Sequence, residues 1–185
     1  MEFKIENYDW GQEGDFPEVS GSISSDSQQI MVRYDVTEAE IRAVHSQHNG
    51  MVCEDSCAEF FFCPYPDDPR YINIEINPIG TVHLALGEGR HNRVMLPLEH
   101  IYAMNVRTSV CRGGEKPRWT LSYALPYDMI AAIYNRRPIA AGSVIRGNLY
   151  KCGDKQQKPY WGSWAPIGTE RPDFHRPEYF IEIAT

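Results

Sequence analysis

The sequence predicts an all-β fold, a two-sheet antiparallel β-sandwich with one or two short helices. Three observations carry this. Period-two alternation recurs along the chain, and it is clearest in Arg70 to Asn77. There Ile72, Ile74 and Ile76 face one way, and Tyr71, Asn73, Glu75 and Asn77 face the other. Turn residues break these runs at short intervals. Only two stretches carry helix signals, which argues against a βαβ plan with its alternating helices.

Taken in order, 28–36 alternates Ile30, Val32, Tyr34 and Val36 against Gln29, Met31, Arg33 and Asp35. Ser56 to Cys63 reads SCAEFFFC, nearly all apolar, so a strand there is buried on both faces, with Glu59 the exception. Pro78-Ile79-Gly80 turns the 70–77 strand back into 81–86, closing a hairpin. Further strands fit 104–111, 119–125, 144–152 and 179–184. One helix is expected over 37–44, with Thr37 as cap and Glu40 closing a capping box. A second is expected over 127–134, after Pro126. Between these lie loops at 64–69, 87–93, 112–117 and 153–177. The last is long, and its repeated Gly and Pro exclude regular structure; long loops in compact domains are often functional.

At 185 residues the chain fits a single domain, 1–185, with ample material for a two-layer core. The net charge is −7 and no Lys/Arg stripe forms, which disfavours nucleic acid and anionic membranes as partners. No apolar run approaches the roughly 20 residues of a membrane-spanning helix. The first ten residues are charged and lack a signal-peptide core, so as written the chain is expected in the cytoplasm, or outside the cell if a leader has been removed. Five cysteines leave at least one unpaired within the chain, and reduced thiols are the simplest reading. The oligomeric state is left open.

Several residues can carry chemistry. Two of the carboxylates Asp55, Glu59 and Glu75, if facing, could act as acid and nucleophile of a small glycosidase. They could equally bond sugar hydroxyls, cap loops or hold a cation. Cys53, Cys57 and Cys63 lack the second close pair, or the histidines, of a zinc motif. His83 reads as a strand residue, while His175 lies in the rigid segment Pro172 to Pro177. Gly87-Glu88-Gly89-Arg90 reads as a turn, with no helix behind it to hold a phosphate. Tyr160, Trp161 and Trp164 sit in the long loop without apolar periodicity. Flat rings with polar groups alongside suit sugars, whose apolar C–H faces are ringed by hydroxyls.

Four segments in register resemble carbohydrate-binding module family 9, in its stand-alone family-9-like branch. They are Glu54 to Phe61, Tyr71 to Gly80, Gly147 to Gly153 and Pro172 to Phe180, spanning most of the chain. The resemblance implies a DOMON-related sandwich, recognition of glucose- or xylose-type sugars between aromatic rings, and a role beside xylanases or other polysaccharide-degrading enzymes. It also implies that no cofactor is required and leaves structural calcium open, with Pro66-Asp67-Asp68 a candidate source of oxygen ligands. Glu59 matches a sugar-contacting carboxylate of the family. Cys53 and Phe180 stand where many relatives carry tryptophan, so Trp161 and Trp164 are the candidate replacements. The expected reading is a non-catalytic module, with contacts from Glu59, Asn73, Glu75, Asn148, Lys151, Trp161, Trp164 and His175. The alternatives are the glycosidase, and a DOMON-like cofactor binder using a Met95–His175 pair.

Overall fold

The computed structural model describes residues 1–10 and 14–185. Its strands begin with β1 (Glu2–Ile5), β2 (Glu18–Ser25), β3 (Gln29–Thr37), β4 (Cys57–Cys63), β5 (Tyr71–Ile76) and β6 (Val82–Gly87). They continue with β7 (Arg93–Met95), β8 (Arg107–Cys111), β9 (Arg118–Pro126), β10 (Val144–Cys152), β11 (Trp161–Ser163) and β12 (Ile181–Ala184). Two helices, α1 (Leu98–Ala103) and α2 (Tyr127–Tyr134), lie between them.

One sheet runs β1-β2-β3-β9-β8, and the other runs β11-β10-β4-β5-β6-β7 with β12 also on β10. Every pairing is antiparallel. Alternation places Ile23, Val32, Tyr34, Leu121 and Leu125 against Phe60, Phe62, Ile72, Ile74, Leu84 and Leu149, forming the main core. The sandwich expected from the sequence is the fold observed.

The hairpin turn forms at Gly80, whose φ of 81° is left-handed backbone that favours glycine. Asn77 fixes this turn, its side-chain oxygen accepting from the N–H groups of Ile79 and Thr81.

The helix expected over 37–44 is absent, and the segment following β3 carries no regular secondary structure. Side chains of the neighbouring loop take the amides a helix would use. Asp55 accepts from Val44 and His45, and Ser56 accepts from Arg42. Asp55 is fully buried and also accepts from the Asn77 amide, so it clamps loops rather than facing a ligand. The expected strand at 104–111 starts only at Arg107, because Met104 closes α1. Similarly, a 3-10 turn at Pro177–Tyr179 delays β12 to Ile181.

Glu38, in that irregular segment, enters the interior. It accepts from Trp119 Nε1 at 2.5 Å, from Lys151 Nζ at 3.1 Å and from the Tyr160 hydroxyl. Lys151 also lies 2.6 Å from the Tyr160 oxygen and carries 0% side-chain exposure. A buried ion pair is costly to half-remove, because the remaining charge has no partner. Lys151→Met is therefore expected to lower stability by about 3–5 kcal/mol in urea unfolding, and Glu38→Gln added to it is expected to restore most of the loss.

Candidate functional site

The outer face of the second sheet carries two kinds of side chain. Toward one end lie Phe61 on β4 and Tyr71 on β5, with Tyr150 on β10 beside them. The C-terminal loop covers these. Phe174 stacks on Tyr150 at 4.2 Å, and His175 stacks on Phe61 at 4.9 Å. Tyr71 and His175 share a 2.7 Å hydrogen bond between the hydroxyl and Nδ1. Ile167 and Phe180 complete this second apolar layer.

Toward the other end the face turns polar. Glu59 on β4 pairs in register with Glu75 on β5, and Glu75 pairs with His83 on β6. Here the covering loop stops and a cavity of about 480 Å³ opens. Glu59 and Glu75 line it, with Cys53 and Cys152 beside them and Arg90, Arg93 and His83 from the β6–β7 side. Trp161 and Asp154 line it too, and Trp161 Nε1 donates to Asp154 Oδ1 at 2.7 Å. Arg90 bonds Asp173 at 2.8 Å, tying the β6–β7 loop to the C-terminal loop.

Burial dominates the electrostatics. It raises the carboxyl groups of Glu59 and Glu75 above the usual range, and for Glu59 the neighbouring Glu75 adds to the rise. His83 and Arg93 temper the rise at Glu75, and the Cys152 thiol, donating at 2.9 Å, tempers it at Glu59. Asp154 is raised by the same desolvation. His175 moves the opposite way, to about 2, because burial and then Arg93 and Arg90 disfavour its cation.

The structure places Glu59, Glu75, Trp161 and His175 in this one cavity. Asn73 lies fully buried beside it, donating to Glu75 Oε1 at 3.0 Å. Asn148 is buried elsewhere, bonded to the backbone of Ala165. Lys151 points into the sandwich toward Glu38 and does not reach the cavity. Trp164 packs on the main core, its ring centre 6.4 Å from Phe3. Phe180 is buried edge-on against Tyr71, while Cys53 does line the cavity. Met95, half of the pair considered for a cofactor, is exposed on edge strand β7 and lies outside the cavity that His175 lines. Asp67 and Asp68, offered as calcium ligands, are paired instead with Arg136 and Arg70.

Sequence reasoning did not single out Arg90, Arg93, Asp154 or Cys152. The first and third sit in turns, and their convergence depends on strand order, which spacing does not reveal.

The sequence profile of carbohydrate-binding family 9 matches residues 1–185. The chain belongs to that family. A candidate carbohydrate-binding protein from Bacteroides uniformis is similar in fold, with a TM-score of 0.85 and 34% identity over 100% of this chain and 85% of the other. A family 9 module from Caldicellulosiruptor kristjanssonii, in complex with cellotriose, has a TM-score of 0.60 at 11% identity, covering 100% of this chain and 81% of its own. The same organism's module in complex with glucose gives 0.57 at 11%, covering 97% and 83%. No curated protein sequence matches the chain. These solved structures share the sandwich, and at such low identity the Caldicellulosiruptor likeness concerns fold alone.

The raised Glu59 carboxyl has a signed consequence for stability. The folded state holds its proton to higher pH than the unfolded chain does, so the group's cost appears as pH rises above about 4.5, its ordinary value. Glu59→Gln is therefore expected to raise the melting temperature at pH 8 relative to wild type. The gain should shrink steadily toward pH 4. A gain that is constant across this range, or a loss at pH 8, contradicts the assignment.

Proposed function

We propose that this chain binds a glucose- or xylose-type sugar, free or at the end of an oligosaccharide, in the cavity over Glu59 and Glu75, and that it does so without cleaving it. The observation that carries the reading is the single exposed indole edge of the cavity. Trp161 is half-buried, fixed by Asp154, and stands beside a floor of carboxyl groups. A ring of this kind supports the apolar face of a pyranose, and the carboxyls serve its hydroxyls. A volume of about 480 Å³ suits a ligand of that size. The covering segment around Phe174 closes one side, which favours a chain end over a chain passing through. Family membership and the Caldicellulosiruptor kristjanssonii family 9 structures in complex with cellotriose and glucose support the same ligand class.

The carboxyl pair argues against hydrolysis. A glycosidase needs two groups pushed apart, one a proton donor and one ionised, flanking the bond to be broken. Glu59 and Glu75 instead lie side by side on adjacent strands of one floor, not on opposite sides of a bound sugar. Asp55, the third carboxylate considered, is occupied as a loop clamp.

Calorimetry with glucose, xylose and cellotriose tests the proposal. Saturable heat is expected for at least one of them, with no reducing ends released from the oligosaccharide. Trp161→Ala is expected to weaken binding about tenfold, equivalent to about 1.4 kcal/mol. Trp164→Ala should leave affinity within about twofold, since its ring packs on the core. Turnover of chromogenic glycosides that Glu59→Gln abolishes, or equal affinity in Trp161→Ala, overturns the reading.

A further inference from the structure

The cavity floor holds a constellation that stacking on Trp161 does not use. Cys57 and Cys152 face each other in register on β4 and β10, and Glu59 follows two residues after Cys57 on the same face. The sulfur atoms of Cys57 and Cys152 and a carboxylate oxygen of Glu59 all lie within 4.8 Å of one another, and all three residues are buried. Cys152 Sγ is 2.9 Å from Glu59 Oε1. Around tetrahedral zinc, with bonds of about 2.0–2.3 Å, neighbouring ligand atoms stand roughly 3.5 Å apart. The three atoms therefore surround a point that one ion can occupy after small side-chain rotations.

We propose that Cys57, Cys152 and Glu59 bind one Zn²⁺ ion, with the fourth tetrahedral position facing the cavity. Two sulfurs and one oxygen select a borderline-soft ion; calcium and magnesium require oxygen throughout. Glu59 and Cys152 line the cavity, which supplies both an entry path and room for a water or a hydroxyl as fourth ligand. The sequence could not show this site, because Cys152 joins the other two only through the β4–β10 register.

Cobalt(II) is the probe, added to full-length protein reduced with a phosphine. One equivalent is expected to give thiolate-to-cobalt charge transfer and the intense d–d absorption of a tetrahedral site, both abolished by excess Zn²⁺. Glu59→Gln should weaken uptake at least tenfold, and Cys152→Ser should eliminate the charge-transfer band. Because Cys152→Ser can lose the fold, a second measurement uses the wild type. Zn²⁺ should slow iodoacetamide labelling of Cys57 and Cys152, mapped by mass spectrometry, while exposed Cys111 labels at an unchanged rate. Octahedral, sulfur-free cobalt spectra overturn the proposal. So does labelling of Cys57 and Cys152 that zinc leaves unchanged, or a Cys57–Cys152 disulfide whose reduction yields no cobalt uptake. None of these outcomes bears on sugar binding, which calorimetry reads separately.

Discussion

Two glutamates buried side by side on neighbouring strands impose the constraint around which this molecule is arranged. A β-strand presents alternate side chains to alternate faces, so the register that pairs Glu59 with Glu75 fixes both carboxyls on the outside of the second sheet. Burying two such groups costs free energy unless neighbours compensate it. The neighbours here are Arg93, His83, the Asn73 amide and the Cys152 thiol. An apolar loop cannot close over this patch without adding to that cost. It closes instead over Phe61, Tyr71 and Tyr150, which welcome Phe174 and Phe180, and it leaves the glutamates open to a ligand.

The interior follows a parallel logic with the opposite outcome. Glu38 and Lys151 are also buried charges, yet they satisfy one another and are joined by the Trp119 and Tyr160 donors. In that network the main partners satisfy one another. It ties Glu38, at the start of the irregular 38–46 segment, to Tyr160 in the loop before β11. Positioning Tyr160 in this way also sets where the chain re-enters the sheet as β11, and hence where Trp161 stands.

Much of the architecture was legible in the residues themselves. The isoleucine ladder of β5 and the doubly apolar β4 announced a buried sheet, and Pro126 marked the start of α2. The irregular 38–46 segment was not legible, because its capping signals are local whereas the amides are claimed by Asp55 and Ser56 from another loop. At the site, Trp161 and Trp164 look equivalent in sequence. They differ by three positions, so a short strand sends them to opposite faces, and only the pairing of Trp161 with Cys152 decides which one meets the cavity. Lys151 and Cys152 divide for the same reason, one turned into the sandwich and the other out to the floor.

The proposed sugar recognition rests on one indole, Trp161, being the ligand-facing ring among four tryptophans. Fluorine NMR of 5-fluorotryptophan-labelled protein reads each of them separately, with Trp161 assigned by substitution. Titration with whichever sugar gives calorimetric heat should shift the Trp161 resonance most and leave Trp119 and Trp164 at their starting positions. A Trp164 resonance that moves while Trp161 stays fixed contradicts the account.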